Sequence, residues 1–397
     1  MEGLAPKVIL LVTFNLYEPM MEHFERFGLL INNQVVRTPV AIASMAGYVD
    51  AEYVRAREQH IGLAFIGGYS IDEPAMKASK QMVLAGRKEF IPEDMIAELH
   101  RQVACMTGSD VVLGINMRGC SPAAFARVAE ELGDSVVYEI DAHCRQLPMI
   151  EAGSGEYYLN NPTQLFEIVK TLKRAGVTVS VKIRAGVSSD DRALSRALWK
   201  AGADILHVDL MDFGYHKIKQ IRNSCPILLI ANNSLNTFDR VKDMFAHGAD
   251  LVSLGRKSDE RTLSGIDAAI TRYTDEQGWY NSPKQLCRGG DIRALTFCCM
   301  PVKNCPLIPT LETLGIKRDE YIRLKEESVR GTPLEGGKNT CFGSLGWCCK
   351  NSSPCMFRDI TIQQEGISSK EYMRLKRQLS EKIIHHIYYE RTEDGAC

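Results

Sequence analysis

Apolar runs rich in β-branched residues alternate with amphipathic helical stretches over residues 39–254, and this alternation constrains the fold more than any other feature. Such alternation is typical of repeated β–α–β units, in which successive strands pair in parallel. It predicts eight strands. They are Val40–Met45, Gly62–Ile66, Val111–Asn116, Val136–Ile140, Thr178–Ile183, Ile205–Asp209, Ile227–Ala231 and Leu251–Leu254.

The helical stretches between these strands complete the pattern of an α/β protein. They include Pro122–Leu132, Pro162–Ala175, Asp191–Ala201 and Asn236–His247. Eight strand–helix units in roughly 240 residues match the usual size of a TIM (β/α)8 barrel. A doubly wound open sheet is the structural alternative, but it usually switches strand order and does not need an eighth strand. The sequence therefore favours the barrel.

Composition excludes several classes of protein. Of the 397 residues, 45% are hydrophobic and 24% are charged, and the formal net charge is −1, so no global field attracts nucleic acid or an anionic membrane. No stretch reaches the roughly 18 uncharged apolar residues that a membrane span requires. The acidic second residue, Glu2, and the lack of a small-residue cleavage site argue against a signal peptide. We therefore expect a cytoplasmic protein with no membrane partner.

The stretch from Val136 to Pro162 holds the most informative candidate residue. It reads as an apolar strand, a small polar cluster that contains Cys144, a Gly-Ser-Gly turn and the start of a helix. In a barrel of this kind, reactive groups collect at the carboxyl-terminal ends of the strands. The structural alternative for Cys144 is a half-buried cysteine that merely caps a strand.

This stretch resembles the catalytic strand of the tRNA-dihydrouridine synthases, which are flavin enzymes built on a TIM barrel. That strand carries an Ile-Asn-x-x-Cys-Pro run, followed by a Gly-x-Gly segment and an Asp-Pro helix start. The matching positions are Ile140, Asp141, Cys144, Gly153, Gly155 and Pro162. Asp141 replaces the family's asparagine, and Arg145 replaces its proline. Residues 116–120 imitate the motif one strand too early, so strand order favours Cys144 over Cys120 as the catalytic acid.

The resemblance covers residues 36–265 and implies that FMN lies at the strand ends. The backbone of Ala43, Ser44 and Met45 corresponds to the segment beside the flavin, and Asn116 corresponds to a glutamine that bonds the ring. Lys182 matches the lysine near the reactive edge of the flavin, where a fixed cation favours the anionic reduced form. A lysine that extends to the surface is the alternative for this position.

In the last three strands, one residue departs from the family's pattern and one group of residues matches it. Asp209 stands where the family has a histidine, and an aspartate near a flavin disfavours the reduced anion, which puts the redox behaviour or the cofactor itself in question. After the last two strands, Asn232, Asn233, Gly255 and Arg256 resemble the family's phosphate loops. Asn233 replaces a glycine and is the residue that best tolerates a positive φ. Gly255 alone is also consistent with a plain turn.

Eight of the thirteen cysteines fall in two similar segments after the barrel. They are Cys287, Cys298, Cys299 and Cys305, then Cys341, Cys348, Cys349 and Cys355. In a reducing cytosol such a cluster indicates metal ligands rather than disulfides. Each group of thiols precedes one amphipathic helix, which indicates a duplicated module. So short a domain has little core of its own, and metal binding would supply folding free energy.

The sequence leaves the metal open. Four thiolates in each half suit a [4Fe–4S] cluster or tetrahedral zinc, and reduced unliganded thiols are a third reading. Which four cysteines share a site stays open as well. The segment resembles the methanogenesis marker 9 domain over residues 284–360. That resemblance implies a methanogenic archaeon and an anaerobic cytosol in which Fe–S clusters survive.

These features predict an N-terminal extension (1–35) with a strand at Val8–Phe14, a barrel (36–278) and a cysteine-rich domain (284–397). The leading hypothesis is an FMN-dependent oxidoreductase with two thiolate-ligated centres, [4Fe–4S] or alternatively zinc, linked to methanogenesis or to the maturation of its enzymes. Its partner would be a small molecule or a redox protein. Cys144 would be the general acid, because an ordinary thiol is mostly protonated at neutral pH. The alternatives are a tRNA-dihydrouridine synthase, whose partner is tRNA, and a zinc-dependent regulator or assembly factor on a non-catalytic barrel.

Overall fold

The computed structural model describes residues 26–27, 29–32, 34–222, 224–225, 227–277 and 280, together with nine single positions after residue 316. The predicted strand Val8–Phe14 and the eight clustered cysteines lie outside the described residues. The predicted extent of the two flanking domains therefore stays a prediction.

Eight parallel strands form a closed barrel in chain order, with the last strand paired to the first. A short antiparallel pair, β1 (Leu30–Ile31) and β2 (Gln34–Val35), precedes it. The barrel strands are β3 (Val40–Ile42), β4 (Leu63–Ser70), β5 (Val112–Arg118), β6 (Val137–Ala142), β7 (Thr178–Arg184), β8 (Ile205–Asp209), β9 (Leu228–Asn232) and β10 (Leu251–Leu254). The predicted TIM barrel is confirmed, and the open sheet is wrong.

Eleven described α-helices accompany these strands. They are α1 (Ala51–Arg55), α2 (Glu73–Leu84), α3 (Met95–Cys105), α4 (Pro122–Leu132), α5 (Leu147–Glu151), α6 (Tyr157–Asn160), α7 (Pro162–Arg174), α8 (Asp191–Ala201), α9 (Tyr215–Arg222), α10 (Phe238–Ala246) and α11 (Glu260–Gln277), and a 3₁₀ turn spans Glu58–His60. Local capping fixes several starts: Ser121 accepts a hydrogen bond from the backbone of Ala124, and Asp190 accepts from Arg192 and Ala193. No described helix is long and apolar enough to cross a membrane.

Residues 73–94, which comprise α2 and the loop after it, pack on the carboxyl-terminal end of the barrel, and we call them the cap segment. Met82 of α2 packs with Cys144 and Met149. The loop lies against Gly47, where an added Cβ would be 2.5 Å from the backbone of Lys88. Helix α3 takes the outer position between α1 and α4. The sequence did not predict this cap.

At the opposite end of the barrel, aromatic residues pack beside the start of β10. Tyr280 lies edge-on to Phe27 and Phe245, and its hydroxyl donates to the carbonyl of Asp250 at 3.0 Å. Asp250 immediately precedes β10. The described part of the barrel domain therefore ends at the amino-terminal face, away from the strand ends where a site is expected.

Candidate active site

A cavity of about 860 Å³ opens at the carboxyl-terminal ends of the strands. Because all eight strands are parallel, the residues that follow them meet at one rim. Eleven of the twelve predicted catalytic and cofactor-binding residues line this cavity. They are Ala43, Ser44, Met45, Asp141, Cys144, Lys182, Asp209, Asn232, Asn233, Gly255 and Arg256. The structure thus brings the predicted residues together, while their individual roles stay predictions.

Asn116 is the twelfth residue, and it lies beneath the wall rather than in it. Its Nδ2 donates to Glu139 Oε1 at 2.8 Å, and its Oδ1 is buried without a partner among the described residues. That oxygen faces Gly68, a residue of the cavity wall, where an added Cβ would be only 2.9 Å away. Asn116 therefore supports the site from below, and direct contact with a cofactor would have to pass Gly68.

A polar chain, buried except for the half-buried Asn232, runs from the barrel interior to the cavity wall. His207 Nδ1 contacts Glu139 Oε2 at 2.8 Å, and Ser180 donates to the same oxygen at 3.0 Å. His207 Nε2 contacts Ser253 Oγ at 2.7 Å, and Asn232 Nδ2 lies 2.8 Å from that hydroxyl. These contacts are all satisfied if Asn232 donates to Ser253, Ser253 donates to Nε2, and Nδ1–H donates to Glu139.

The charges in this chain follow from burial and from these contacts. Burial by itself would raise the pKa of Glu139, but His207, Lys182 and the Asn116 amide lower it overall, so Glu139 is a carboxylate. Burial lowers the pKa of His207, so its imidazole is neutral at neutral pH. Lys182 is then a positive charge that helps to lower the pKa of Glu139. His207, which the sequence placed two residues out of register with the family's histidine, serves the interior and not the cavity.

Lys182 is the buried cation at the centre of the site, with 3% of its surface exposed. Its Nζ contacts Ser44 Oγ at 3.1 Å and the Ser44 carbonyl at 3.5 Å, and it forms no ion pair with a described carboxylate. An ammonium group has three donors, so hydrogen-bonding capacity remains on the cavity side. A buried cation with spare donors is costly unless a ligand completes its environment.

Cys144 is held in the wall by its backbone. Its amide donates to Asp141 Oδ1 at 2.9 Å, and its carbonyl accepts from Glu156 at 2.9 Å. Gly155 has a φ of 66°, and a Cβ there would lie 2.3 Å from that carbonyl, so this position of the Gly-Ser-Gly turn requires glycine. Burial raises the pKa of the Cys144 thiol, although Arg118 opposes this shift. The thiol is therefore protonated at neutral pH.

Cys120, the alternative candidate for the catalytic acid, is not among the residues of the cavity wall. Its backbone amide donates to Asp72 Oδ2 at 2.6 Å. Burial and the neighbouring Asp72 raise the pKa of the Cys120 thiol to about 12. This placement agrees with the choice of Cys144 that strand order favours.

Asp141 departs from the family's asparagine, and the structure provides its charge partner. Asp141 Oδ2 accepts from Arg118 Nε at 2.9 Å, and Arg118 Nη1 donates to Glu89 of the cap segment at 2.6 Å. Burial would raise the pKa of Asp141, but Arg118 and His143 lower it to about 2. The carboxylate is thus ionised and compensated.

Asp209 is compensated in the same way, by a residue that sequence reasoning missed. His143 Nε2 contacts Asp209 Oδ2 at 2.6 Å, and Arg184 Nη1 lies 3.8 Å from the same oxygen. Burial alone would raise the pKa of Asp209, but these partners hold it well below its usual range. The expected penalty on a reduced flavin is therefore smaller than the aspartate alone implied. The sequence feature that could have identified His143 as a site residue is its position directly before Cys144.

The loops after β9 and β10 form the other side of the cavity. Asn233 has a φ of 91°, a conformation that asparagine tolerates better than most residues, and Ser234 follows at 58°. A Cβ added to Gly255 would meet only Met45, at 3.7 Å or more, so the space beside Gly255 is open. Arg256 is exposed and forms no ion pair among the described residues.

Cations dominate the whole wall. Those that line it are Arg87, Arg118, Arg145, Lys182, Arg184, Arg240, Arg256 and Lys257, against the two carboxylates Asp141 and Asp209. The chain as a whole has a net charge of −1, so this excess is local. Such a wall favours an anionic ligand. No group of three or more His, Cys, Asp or Glu that could hold a metal occurs within the described part of the chain.

One family model and two relatives match this sequence. Residues 95–264 match the family model of dihydrouridine synthase (Dus), a family of FMN-dependent oxidoreductases that act on tRNA. The uncharacterized protein MJ0115 of Methanocaldococcus jannaschii is 51% identical over 109 residues, which cover 28% of this chain and 70% of that protein. The uncharacterized protein MJ0144 of the same archaeon is 26% identical over 229 residues, 55% of this chain and 88% of that protein.

Proposed function

We propose that this chain, which belongs to the same protein family as MJ0115 of Methanocaldococcus jannaschii and carries a dihydrouridine synthase domain, is an FMN-dependent oxidoreductase that reduces an unsaturated substrate. One observation carries the proposal. The buried Lys182 ammonium, whose described hydrogen-bond partner is Ser44 alone, shares one cavity with the protonated thiol of Cys144.

The residues of the cavity fit FMN in both charge and shape. Arg256 and Lys257 are exposed, unpaired among the described residues, and suited to a phosphate dianion, as is the open space beside Gly255. The spare donors of Lys182 suit an electron-rich ring edge. The backbone of residues 43–45 lines the cavity between these two positions. The hydrogen-bond donors thus form two groups, one suited to the phosphate of FMN and one suited to its ring.

When bound in its reduced form, FMN would supply a hydride to one carbon of a substrate double bond. The other carbon then takes a proton, and we assign the Cys144 Sγ–H as its donor because Cys144 lines the cavity. The thiol suits this role because it is protonated at neutral pH. The guanidinium of Arg118 beside it would stabilise the thiolate left behind, which regains its proton from solvent. The substrate gains one hydride and one proton, so the step is balanced.

The eight clustered cysteines are proposed to hold two metal centres in a domain of residues 284–397, as [4Fe–4S] clusters in preference to zinc. Their duplicated spacing supports this assignment. The centres would pass single electrons to the flavin from a small-molecule or protein donor. The archaeal relatives and the resemblance to the methanogenesis marker 9 domain support a link to methanogenesis or to the maturation of its enzymes or cofactors.

Anaerobic purification of the full chain, followed by flavin, iron, sulfide and zinc analysis, tests both parts. We expect bound or reconstitutable FMN, which the Lys182→Met and Arg256→Met variants bind more weakly, while Arg87→Met, at an exposed position of the same wall, keeps the wild-type affinity. Protein that keeps its fold but neither contains nor takes up FMN overturns the proposal for the barrel. Protein that holds only zinc overturns the Fe–S assignment and leaves the barrel's function standing.

A second candidate function is the reduction of uridine in tRNA, which the family model suggests. The cationic wall and the exposed rings of Tyr48 and Phe213, 55% and 46% exposed, favour it, because nucleic-acid binding combines a positive groove with aromatic stacking. Dihydrouridine analysis of tRNA from a deletion strain decides it. Unchanged dihydrouridine excludes this function.

The third candidate, a zinc-dependent regulator or assembly factor on a non-catalytic barrel, was motivated by Asp141 and Asp209. Both carboxylates have charge partners in the structure, so neither by itself argues against a flavin. Failure of the folded protein to bind FMN at micromolar concentration would favour this candidate.

A further inference from the structure

The loop after β10 is a tight turn whose central residues are two exposed cations of the cavity wall. The Ser258 amide donates to the Gly255 carbonyl at 2.9 Å, which closes a β-turn with Arg256 and Lys257 at its central positions. Both of these residues line the cavity. The position of the two cations therefore depends on what holds the ends of the turn.

Ser258, the last residue of this turn, is fully buried and is held by two residues that precede it by about half the chain. Arg57 Nε donates to the Ser258 carbonyl at 2.8 Å, and the Tyr53 hydroxyl lies 2.8 Å from Ser258 Oγ. Ser258 Oγ itself donates to the Gly255 carbonyl at 2.6 Å. Because a serine hydroxyl has one proton, the Tyr53 hydroxyl is the donor to Ser258 Oγ. We call Tyr53 and Arg57 the clamp.

The two clamp residues also hold each other. Arg57 Cζ lies 3.6 Å from the centroid of the Tyr53 ring, and Arg57 Nη1 donates to the Tyr53 carbonyl at 2.9 Å. Neither residue is among those that line the cavity. The clamp therefore acts on a ligand in the cavity only through the turn that it holds.

The clamp is continuous with the segment at the ring end of the cavity. This segment is residues 43–45, and the Met45 carbonyl accepts from the Val49 amide at 3.0 Å. Asp50 then caps helix α1 by accepting from the Tyr53 amide at 2.8 Å. A hydrogen-bonded turn and a capped helix start thus join the ring end to the clamp, and the clamp joins it to the turn after β10.

We propose that Tyr53 and Arg57 are positioning residues for the cofactor phosphate: by holding Ser258, they place Arg256 and Lys257 so that both contact one phosphate group. The inference rests on the proposed function and deepens it, because it identifies what fixes the phosphate site relative to the ring site. Charge-assisted hydrogen bonds to a phosphate depend on distance and angle. A turn without the clamp would keep the same charges but would bind phosphate more weakly, because binding would then have to order it.

The test compares FMN with riboflavin, which has the same ring and ribityl chain but no phosphate. Each is titrated into the flavin-free full chain while the quenching of flavin fluorescence is followed. The ratio of the two dissociation constants reports the contribution of the phosphate, because both ligands share the ring contacts. We expect the wild-type protein to bind FMN about a hundredfold more tightly than riboflavin, since hydrogen bonds from charged donors contribute at least that much together.

The Tyr53→Phe variant removes the hydroxyl and keeps the ring beside Arg57. We expect the ratio to fall about three- to tenfold, while the affinity for riboflavin stays at the wild-type level. Tyr280→Phe is the matched control, because the Tyr280 hydroxyl donates to the Asp250 carbonyl at 3.0 Å, at the other end of β10. It should keep the wild-type ratio. Arg57→Met removes the other contact to Ser258, should lower the ratio by a similar factor, and serves as the test if Tyr53→Phe does not fold.

A combined variant tests whether the clamp acts through the two cations. Arg256→Met together with Lys257→Met should remove most of the preference for FMN. Adding Tyr53→Phe to this pair should lower the ratio by less than about twofold, because no cation is left to position. If Tyr53→Phe causes its full loss in this background, the clamp does not act through the turn and the inference is overturned.

Equilibrium dialysis of radiolabelled inorganic phosphate against the flavin-free protein measures the anion site without a flavin. Protein that binds neither flavin, but binds phosphate more weakly in Tyr53→Phe and not in Tyr280→Phe, would refute the proposed function and uphold the clamp. A wild-type ratio near one would overturn the inference and leave the flavin function standing. The inference also fails if Tyr53→Phe and Arg57→Met keep the wild-type ratio, if Tyr280→Phe lowers it equally, or if the protein binds neither a flavin nor phosphate.

Discussion

The two sides of the cavity mouth are both cationic, but they differ in how their charges are partnered. At the ends of β5 to β7, Arg118 and Arg184 are largely buried and form ion pairs with carboxylates, whereas Lys182 of β7 is buried without an ion pair among the described residues. After β10, Arg256 and Lys257 are exposed and have no ion pair among the described residues. These sides lie across the barrel from each other, since β5 and β6 are opposite β9 and β10 in the strand order. A cation in the wall can bind an anionic ligand only if it is not already paired with a carboxylate of the protein, so the presence of a cation alone does not indicate a binding site.

This contrast separates two functions within one wall. On the first side, the charges of Arg118 and Arg184 are balanced by internal carboxylates. These residues therefore orient neighbouring groups, and the loss of one partner would destabilise the fold. The unpaired side contributes little to stability and keeps its charge for a phosphate. We call them the paired side and the unpaired side in the predictions below.

The largest expected effect is on the stability of the paired side. Arg118→Met leaves the buried Asp141 without its arginine partner and leaves Glu89 with only the longer 3.5 Å contact to Arg87, and we expect a loss of about 3–5 kcal/mol in the free energy of unfolding. Urea unfolding of the flavin-free protein measures it. Adding Asp141→Asn and Glu89→Gln should restore most of the loss, because no unpaired buried charge then remains. A loss below about 1 kcal/mol in the single variant would show that the ion pairs of Arg118 contribute little to the free energy of unfolding.

The next effect is on ligand affinity at the unpaired side. Arg256→Met should weaken FMN binding about ten- to a hundredfold, because it removes a charge-assisted contact to the phosphate. The free energy of unfolding should change by less than about 0.5 kcal/mol, since Arg256 is exposed. Quenching of FMN fluorescence gives the affinity. Arg87→Met, in the wall but near the paired side, is the control, and an equal loss in both variants would remove the distinction between the sides.

The third effect is a pH dependence confined to the paired side. The pKa of Asp141 is lowered from 3.8 to about 2, because Arg118 and His143 outweigh the burial that would raise it. The sign follows: the ionised Asp141 contributes stability above its unfolded pKa, and this contribution is lost as the pH falls from about 3.8 towards 2. It amounts to about 2 kcal/mol.

Acid titration of unfolding in wild type and Asp141→Asn isolates this contribution. Over that pH window the wild-type protein should lose about 2 kcal/mol more than the variant. Arg256→Met, on the unpaired side, should follow the wild-type curve. Parallel curves for wild type and Asp141→Asn would contradict the lowered pKa.

The smallest effect concerns the backbone of the unpaired side. Asn233 has a φ of 91°, a conformation that glycine adopts without a steric penalty. Asn233→Gly should therefore leave the free energy of unfolding within about 1 kcal/mol of wild type, whereas Asn233→Ala should reduce it by about 1–2 kcal/mol. Thermal unfolding of both variants measures the difference. Equal stability of the two would mean that this position does not require a positive φ.

The sequence by itself determined the barrel, because each strand and helix is encoded locally, by apolar runs, amphipathic periodicity and capping residues such as Ser121 and Asp190. Strand order then determined the end at which Cys144, Lys182 and Arg256 meet. The strand ends were less certain: β4 extends to Ser70, four residues beyond its predicted end, because pairing with β5 continues there.

Only the tertiary structure decided how the charges pair. Glu89 lies 29 residues before Arg118 in the chain, and His143 lies 66 residues before Asp209, so no local pattern links either pair. The cap segment that delivers Glu89 was likewise not visible in the periodicity, since α2 is amphipathic whether it flanks the sheet or covers its end. Local chemistry thus selects the elements, whereas long-range contacts determine which cations remain free to bind a ligand.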